Sequence, residues 1–139
     1  MNYKIVGKYI KDLKFEIPNP KTFFLLEKNI SNYKINIDIK SHNIKNKIVE
    51  IVIILSLSPL VDDENKINTK IAFSTIVEIE GELTDKKSLE EIILIKIPSK
   101  VYPEIRSLFI LLFEKSGFSK IKIEKEINFK ELYLKGSSQ

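Results

Sequence analysis

Residues 33–40 place Tyr33, Ile35, Ile37 and Ile39 at every second position, with Lys34, Asn36, Asp38 and Lys40 between them. A period of two predicts a β-strand with one buried and one wet face. Residues 9–17 alternate less cleanly. Tyr9, Leu13, Phe15 and Ile17 fall on one side with Lys11, and Ile10, Asp12, Lys14 and Glu16 on the other. Pro18 and Pro20 end that strand, because neither can donate to a ladder. Residues 48–58 are apolar at both parities: Val49, Ile51, Ile53, Leu55 and Leu57 on one face, Val52 and Ile54 on the other. That predicts a strand covered at least partly on both sides. A fourth strand, residues 69–79, puts Ile71, Phe73, Val77 and Ile79 together.

The spacing changes after Gly81. Residues 85–95 have a wet side of Ser88, Glu90, Glu91 and Lys96 and a dry side of Leu89, Ile92, Ile93 and Leu94, with Thr84 as the expected N-cap. Residues 104–116 predict a helix of about three turns, with Pro103 in the first turn and Gly117 as the stop. At about 100° per residue, Leu112, Ile105, Phe109, Leu108 and Phe113 fill one broad arc, and Ile110 and Leu111 project to either side. So apolar a helix is covered on nearly all sides, by its own domain and by a further partner. Residues 120–126 alternate like a short extended segment, and Asn128 is placed to cap a last helical turn. Residues 22–29 form an apolar patch too short to assign, and residues 41–47 read as a polar turn. Strands come first and helices after, which predicts an α+β domain: a four-stranded antiparallel sheet with helices on one face. It spans residues 1–135, with 136–139 as a frayed tail.

Composition narrows the setting. A chain of 139 residues buries roughly two thirds of its unfolded surface as one domain. The longest apolar runs, residues 51–55 and 108–113, fall far short of the roughly 20 residues that span a bilayer. Residues 1–12 lack the apolar centre of a secretory signal, and there is no cysteine. A cytoplasmic setting follows as the expectation. Net charge is +4, from 22 lysines and one arginine, Arg106, against 19 acidic residues. The lysines are interleaved with Asp and Glu, and the arginine that reads phosphate and guanine in bidentate fashion is nearly missing. A basic nucleic-acid-binding module is therefore a lesser alternative, as is a carrier of small apolar ligands.

Chemistry is sparse. His42 is the lone histidine, set among polar residues, and reads as a surface side chain. No phosphate-binding, zinc-hydrolase or nucleophile-elbow motif occurs. Asp62, Asp63 and Glu64 lack the spacing of a calcium loop, and Glu90 with Glu91 reads as a helix's wet side. No catalytic residue, metal site or cofactor is expected. Apolar surface is the functional lead, either as a client site or as an interface between copies.

Four motifs carry a resemblance. Tyr9-Ile10-Lys11-Asp12-Leu13-Lys14-Phe15-Glu16-Ile17-Pro18-Asn19-Pro20 resembles the first strand of the SecB protein-export chaperones, Y-x-K-D-(I or L)-S-F-E-x-P-N-x-P. Lys14 stands for the usual Ser, and the second proline comes one place early. Ile97-Pro98-Ser99-Lys100-Val101-Tyr102-Pro103-Glu104-Ile105-Arg106 is similar to C-P-x-x-L-F-P-Y-A-R, with Ile97 for Cys. Ser116-Gly117-Phe118 resembles G-G-F, and Ile127-Asn128-Phe129-Lys130-Glu131-Leu132-Tyr133 resembles the closing V-(N or D)-F-x-A-L-(Y or F).

The resemblance implies a dimer of dimers with helices between the sheets. It also implies an ATP-independent holdase that takes unfolded preproteins and hands them to the SecA motor; a SecB-like chaperone for another client, such as an antitoxin, is the alternative. It places motor docking at Asp12, Glu16, Ser74 and Ile76, where Ile76 stands for the family's glutamate and Ser74 for its Leu. Tyr102, Leu108, Phe109, Ile110, Leu111, Phe113 and Phe118 are the expected interface or client groove.

Overall fold

The computed structural model describes residues 2–29, 33–60, 65–82, 84–118 and 123–137. Four strands, β1 (Asn2–Glu16), β2 (Tyr33–Lys45), β3 (Ile48–Pro59) and β4 (Asn68–Glu80), form one antiparallel sheet in the order β1-β4-β3-β2. β2, β3 and β4 follow one another as neighbours. β1 lies at the far edge, so the chain crosses from one edge of the sheet to the other through α1 (Pro20–Asn29). Residues 22–29, left unassigned by periodicity, are this helix. Asn19 Oδ1 accepts from the Thr22 amide (2.9 Å) and hydroxyl (3.0 Å), which caps its first turn. The acidic run Asp62-Asp63-Glu64 lies outside the described residues.

The three C-terminal helices are α2 (Lys86–Glu91), α3 (Ile97–Lys115) and α4 (Phe129–Ser137). A single π turn, Ile92–Lys96, joins α2 to α3, making 86–115 one continuous helical run. The expected break between two helices is therefore absent, and Pro103 lies inside α3. The i−4 carbonyl that its missing N–H leaves open belongs to Ser99, and both residues are exposed, so water can satisfy it. Burial of Ile97, Val101, Tyr102 and Ile105 around it offsets the lost bond. Each such side chain contributes about 1.5–3 kcal/mol. The cap of α2 is Asp85, whose carboxylate accepts from the Ser88 amide at 3.3 Å, and not Thr84.

One hydrophobic cluster joins the layers. Val49, Ile51, Ile53 and Leu55 of β3 and Ile71, Val77 and Ile79 of β4 pack with Ile105, Phe109 and Phe113 of α3. Tyr33, Ile35, Ile37 and Ile39 of β2 border it, as the alternation predicts. β1 departs from its simple pattern because its register shifts between Ile5 and Gly7 and again between Ile10 and Asp12. Each bulge reverses the side that later residues face. Tyr9 therefore turns away from the helices while Leu13 and Phe15 turn toward them.

α4 begins after Asn128, whose Oδ1 accepts from the Glu131 amide at 3.0 Å. It runs through Ser137 and so takes in Gly136 and Ser137 from the four residues expected as a tail. Of the segment expected to be extended, 120–122 fall outside the described residues, and 123–126 join no strand.

Candidate functional site

The sheet's second face, outside the core cluster, is set by register. Paired residues of an antiparallel sheet share a side. Across the four strands the rows run Lys14, Lys70, Ser56, Asn36; then Asp12, Ala72, Ile54, Asp38; then Tyr9, Ser74, Val52, Lys40; then Gly7, Ile76, Glu50, His42. An apolar centre of Val52, Ile54, Ala72 and Ile76 is rimmed by charge of both signs.

Glu50 is the residue on this face that periodicity passes over. It is 4% exposed and held from three other strands. The Tyr9 hydroxyl donates to Oε2 at 2.5 Å and the Ser74 hydroxyl at 2.7 Å, while Lys11 Nζ reaches Oε1 at 2.9 Å. His42 Nε2 lies 3.1 Å from Oε1. Hydrogen bonds from Tyr9, Lys11 and Ser74 push its carboxyl down to about 2, against the opposing effect of burial. His42 thus sits on β2 beside a carboxylate, not in a loop. A charged residue among the apolar positions of residues 48–58 was the visible signal.

All four residues expected at a docking surface lie on this face, with different fates. Ser74 is fully buried beneath Glu50, so it supports the network and offers nothing to a partner. Ile76 is half-buried. Asp12 is exposed with Lys70 Nζ 3.7 Å away, and Glu16 is exposed at the strand's end.

The residues expected at an interface or groove divide just as sharply. Tyr102, Phe109, Phe113 and Phe118 are core side chains within this chain. Phe113 makes edge contact with Phe15, and Phe118 stacks tilted on Phe23, both at 5.0 Å between centroids. Leu108 and Ile110 are half-buried, and Leu111 is 46% exposed. The outer side of α3 is therefore only partly covered by the described residues of its own chain.

A separate apolar cleft of about 500 Å3 opens between β2, the π turn and α4. Ile37 and Ile39 form its floor, Leu94 one wall, and Phe129, Leu132 and Tyr133 the other. At its rim the Tyr133 hydroxyl donates to Glu90 Oε2 at 2.7 Å, an interaction that raises the tyrosine's pKa. β2, which supplies Ile37 and Ile39, is an edge strand of the sheet, and an edge strand carries backbone groups that can pair with another chain. Alternation alone places Ile37 and Ile39 in the core, and helical spacing places Glu90 on a wet side. The signal missed was that an edge strand's inner face need not be fully roofed.

Comparison with known proteins agrees with this architecture. The family profile described as preprotein translocase subunit SecB matches residues 1–139. A SecB relative from Pelagibacter ubique (strain HTCC1062) is 42% identical over 132 residues, covering 95% of this chain and 94% of that protein. The protein-export protein SecB of Anaplasma marginale (strain Florida) is 23% identical over 141 residues, covering 94% and 79%. Among solved structures, a Mycobacterium tuberculosis SecB-like chaperone in complex with a ChAD peptide from an antitoxin superposes with a TM-score of 0.62. It is 11% identical and covers 88% of each chain, a likeness of fold. The four motifs, the β1-β4-β3-β2 sheet and the match along the whole sequence converge: the chain belongs to the SecB family of protein-export chaperones.

Proposed function

We propose that this protein is an ATP-independent holdase that binds unfolded precursor proteins in the cytoplasm, as a dimer of dimers, and passes them to the SecA motor. The observation that carries the reading is the apolar cleft lined by Ile37 and Ile39 of β2, a strand at the edge of the sheet among the described residues. An extended segment of client can add its backbone to such an edge and drop alternate side chains into the cleft. A folded protein offers neither a free backbone nor exposed apolar side chains, so binding favours the unfolded state by mass action. Several copies in one assembly present several weak clefts, and avidity raises the hold on a long client. The outer side of α3, with Leu108, Ile110 and Leu111, supports the assembly part of this reading. The outer sheet face, with Asp12 and Glu16, is the surface to which motor docking is assigned.

The test is titration of a reduced, carboxymethylated, permanently unfolded protein, followed by fluorescence anisotropy, beside its native disulfide-bonded form. Binding of the unfolded form alone is expected, and Leu132→Asp should weaken it at least tenfold without lowering the melting temperature. A wild-type chain that ignores the unfolded protein would overturn the proposal. Steeply salt-dependent binding to duplex DNA instead would favour the basic module. An antitoxin segment is the second reading, favoured by the peptide in the M. tuberculosis complex. It changes the occupant of the cleft and not its chemistry.

A further inference from the structure

Pro98 lies buried just past the π turn Ile92–Lys96, and it accounts for that turn. In an unbroken α-helix its ring would run into the carbonyl of Leu94, and it has no N–H to give that carbonyl. The wider turn relieves the clash: the Ile97 amide donates to the Ile92 carbonyl, in the i→i+5 pattern. Two consecutive carbonyls lose their ordinary helical partners as a result. That of Ile93 would take the Ile97 amide, now given to Ile92, or in π spacing the amide that Pro98 does not have. That of Leu94 would take the same missing amide. The Ser99 carbonyl ahead of Pro103 opens to solvent, whereas Leu94 is half-buried and forms a wall of the cleft.

A helix carbonyl runs along the axis on the side of its own residue, and on an uncovered side it tilts outward. The Leu94 carbonyl is thus set on the cleft side of the helical run. Among the described residues lining the cleft, only Glu90 and Tyr133 have polar side chains, and they are bonded to each other at the rim. The rest of the lining is aliphatic or aromatic. The inner wall therefore combines apolar surface with a main-chain acceptor. A side chain that fills the cleft covers this acceptor, and covering it without supplying a donor leaves a carbonyl unpaired. Phenylalanine, leucine and methionine have no donor to supply. Tryptophan has an apolar bicyclic ring that about 500 Å3 accommodates, and one edge N–H that itself needs a partner once buried.

We infer that the Leu94 carbonyl, left open by Pro98, sets the side-chain preference of the client cleft. It selects an apolar ring that brings its own N–H donor, tryptophan, over rings of the same shape without one. The inference rests on the holdase reading and adds to it the class of side chain that the cleft takes. A site with a fixed acceptor discriminates against an isostere lacking the donor more sharply than an apolar wall discriminates by size.

A short unstructured peptide with one central tryptophan is compared with the same peptide carrying 3-benzothienylalanine, which keeps the indole's shape with sulfur in place of N–H. Competition against the labelled, carboxymethylated unfolded protein, followed by anisotropy, gives both affinities. The tryptophan peptide should bind about fivefold to tenfold more tightly, the worth of one hydrogen bond and of the unpaired carbonyl avoided. Pro98→Ala supplies an amide to the Leu94 carbonyl, so the two peptides should then bind within about twofold of each other. A change in cleft shape alone would move both affinities together and leave their ratio. The 13C resonance of the Leu94 carbonyl, read through the Ile95 amide, should move downfield with the tryptophan peptide and not with its isostere. Equal affinities in the wild type, or a ratio that survives Pro98→Ala, overturn the inference while leaving the holdase intact. So does a tryptophan peptide that fails to compete for a chain that binds the unfolded protein. A wild-type chain that never binds the unfolded protein overturns both. If Pro98→Ala fails to fold, the Leu94 resonance decides.

Discussion

Glu50 of β3 lies directly opposite Ile76 of β4, both on the sheet face turned away from the helices. One is a buried carboxylate bound from three other strands, the other an aliphatic side chain at the position where the resemblance to the SecB family leads one to expect a docking glutamate. The carboxylate beside this position is thus present but already engaged, with Lys11 offsetting its charge. Glu50 ties the sheet together across all four strands, and its removal should be felt as stability.

Replacing Glu50 with Ala leaves the fully buried Ser74 hydroxyl without its acceptor, at a cost of about 1–3 kcal/mol. The pH dependence has a defined sign. The carboxyl sits at about 2 in the folded chain and near 4.5 without its partners, so its stabilisation is complete above about pH 4.5. It is lost as pH falls from there through about 2. Urea unfolding of wild type and Glu50→Gln at pH 7, 4 and 2.5 should show a gap that narrows with acid. A gap that stays constant over that range would mean the carboxylate's charge is not what stabilises the sheet.

Leu111→Glu should separate assembly from folding. Leu111 is 46% exposed in the single chain, so a charge there changes the monomer's stability by no more than about 0.5 kcal/mol. In an assembly that covers this side of α3, the same carboxylate would be buried without a partner, at several kcal/mol. Ile110→Glu, at a half-buried position, should weaken assembly and also lower the melting temperature somewhat. Light scattering at low micromolar concentration reads the first effect and thermal melting the second. Tetramers that survive both substitutions would place the interface elsewhere.

The alternation of β2, β3 and β4 was legible because residues 33–43 pair with 49–59, and 48–56 with 70–78, without a register shift, so a period of two maps directly onto two faces. β1 was legible as a strand but not in its facing, because two bulges reverse it, and a bulge adds one residue without changing the local pattern. The helical run 86–115 was split at its prolines, since the weight of apolar burial that holds Pro103 inside a helix is a tertiary effect. The same limit hid the cleft. Ile37 and Ile39 have the spacing of core residues, and only the placement of α4 shows that part of their surface stays open. Glu50 stood out as a charge among apolar positions, but its network was not legible because its partners come from positions 9, 11, 42 and 74, which only pairing brings together.

Two glycines should respond oppositely to Ala. Gly117 has φ of +94°, a left-handed backbone that costs an L residue about 1–2 kcal/mol. Space is not the obstacle, since an added Cβ meets the Phe23 ring at 3.6 Å, an ordinary contact. Gly117→Ala should therefore lower stability by that amount through strain, loosening the turn that delivers Phe118 onto Phe23 and Phe113. At Gly7 nothing lies within 4 Å of the added Cβ, and its backbone is not left-handed. Gly7→Ala should be neutral or stabilise by up to about 1 kcal/mol, because it narrows the unfolded ensemble. Denaturant midpoints of the two variants measure this, and equal destabilisation would contradict it.

The last prediction concerns handover to the motor. An acidic docking face works by long-range attraction and rim ion pairs, so it raises the association rate and is screened by salt. Here the field is largely cancelled. Lys70 lies 3.7 Å from Asp12, Lys14 is directly opposite Lys70, and Glu50 is offset by Lys11. SecA binding is therefore expected to be weak and salt-sensitive, and Asp12→Lys should weaken it further. Ile76→Glu should strengthen it, but that carboxylate would face Glu50 across the β3–β4 pair, and like charges directly opposite are destabilising. Ile76→Glu combined with Glu50→Gln removes the repulsion while restoring an outward carboxylate, so it should bind more tightly than Ile76→Glu alone. Client affinity should barely change in any of the three, because the cleft lies on the helix side of the sheet. Titrating the cognate SecA at low and physiological salt separates these cases. Tight binding indifferent to salt and to position 76 would mean that the motor docks on another surface.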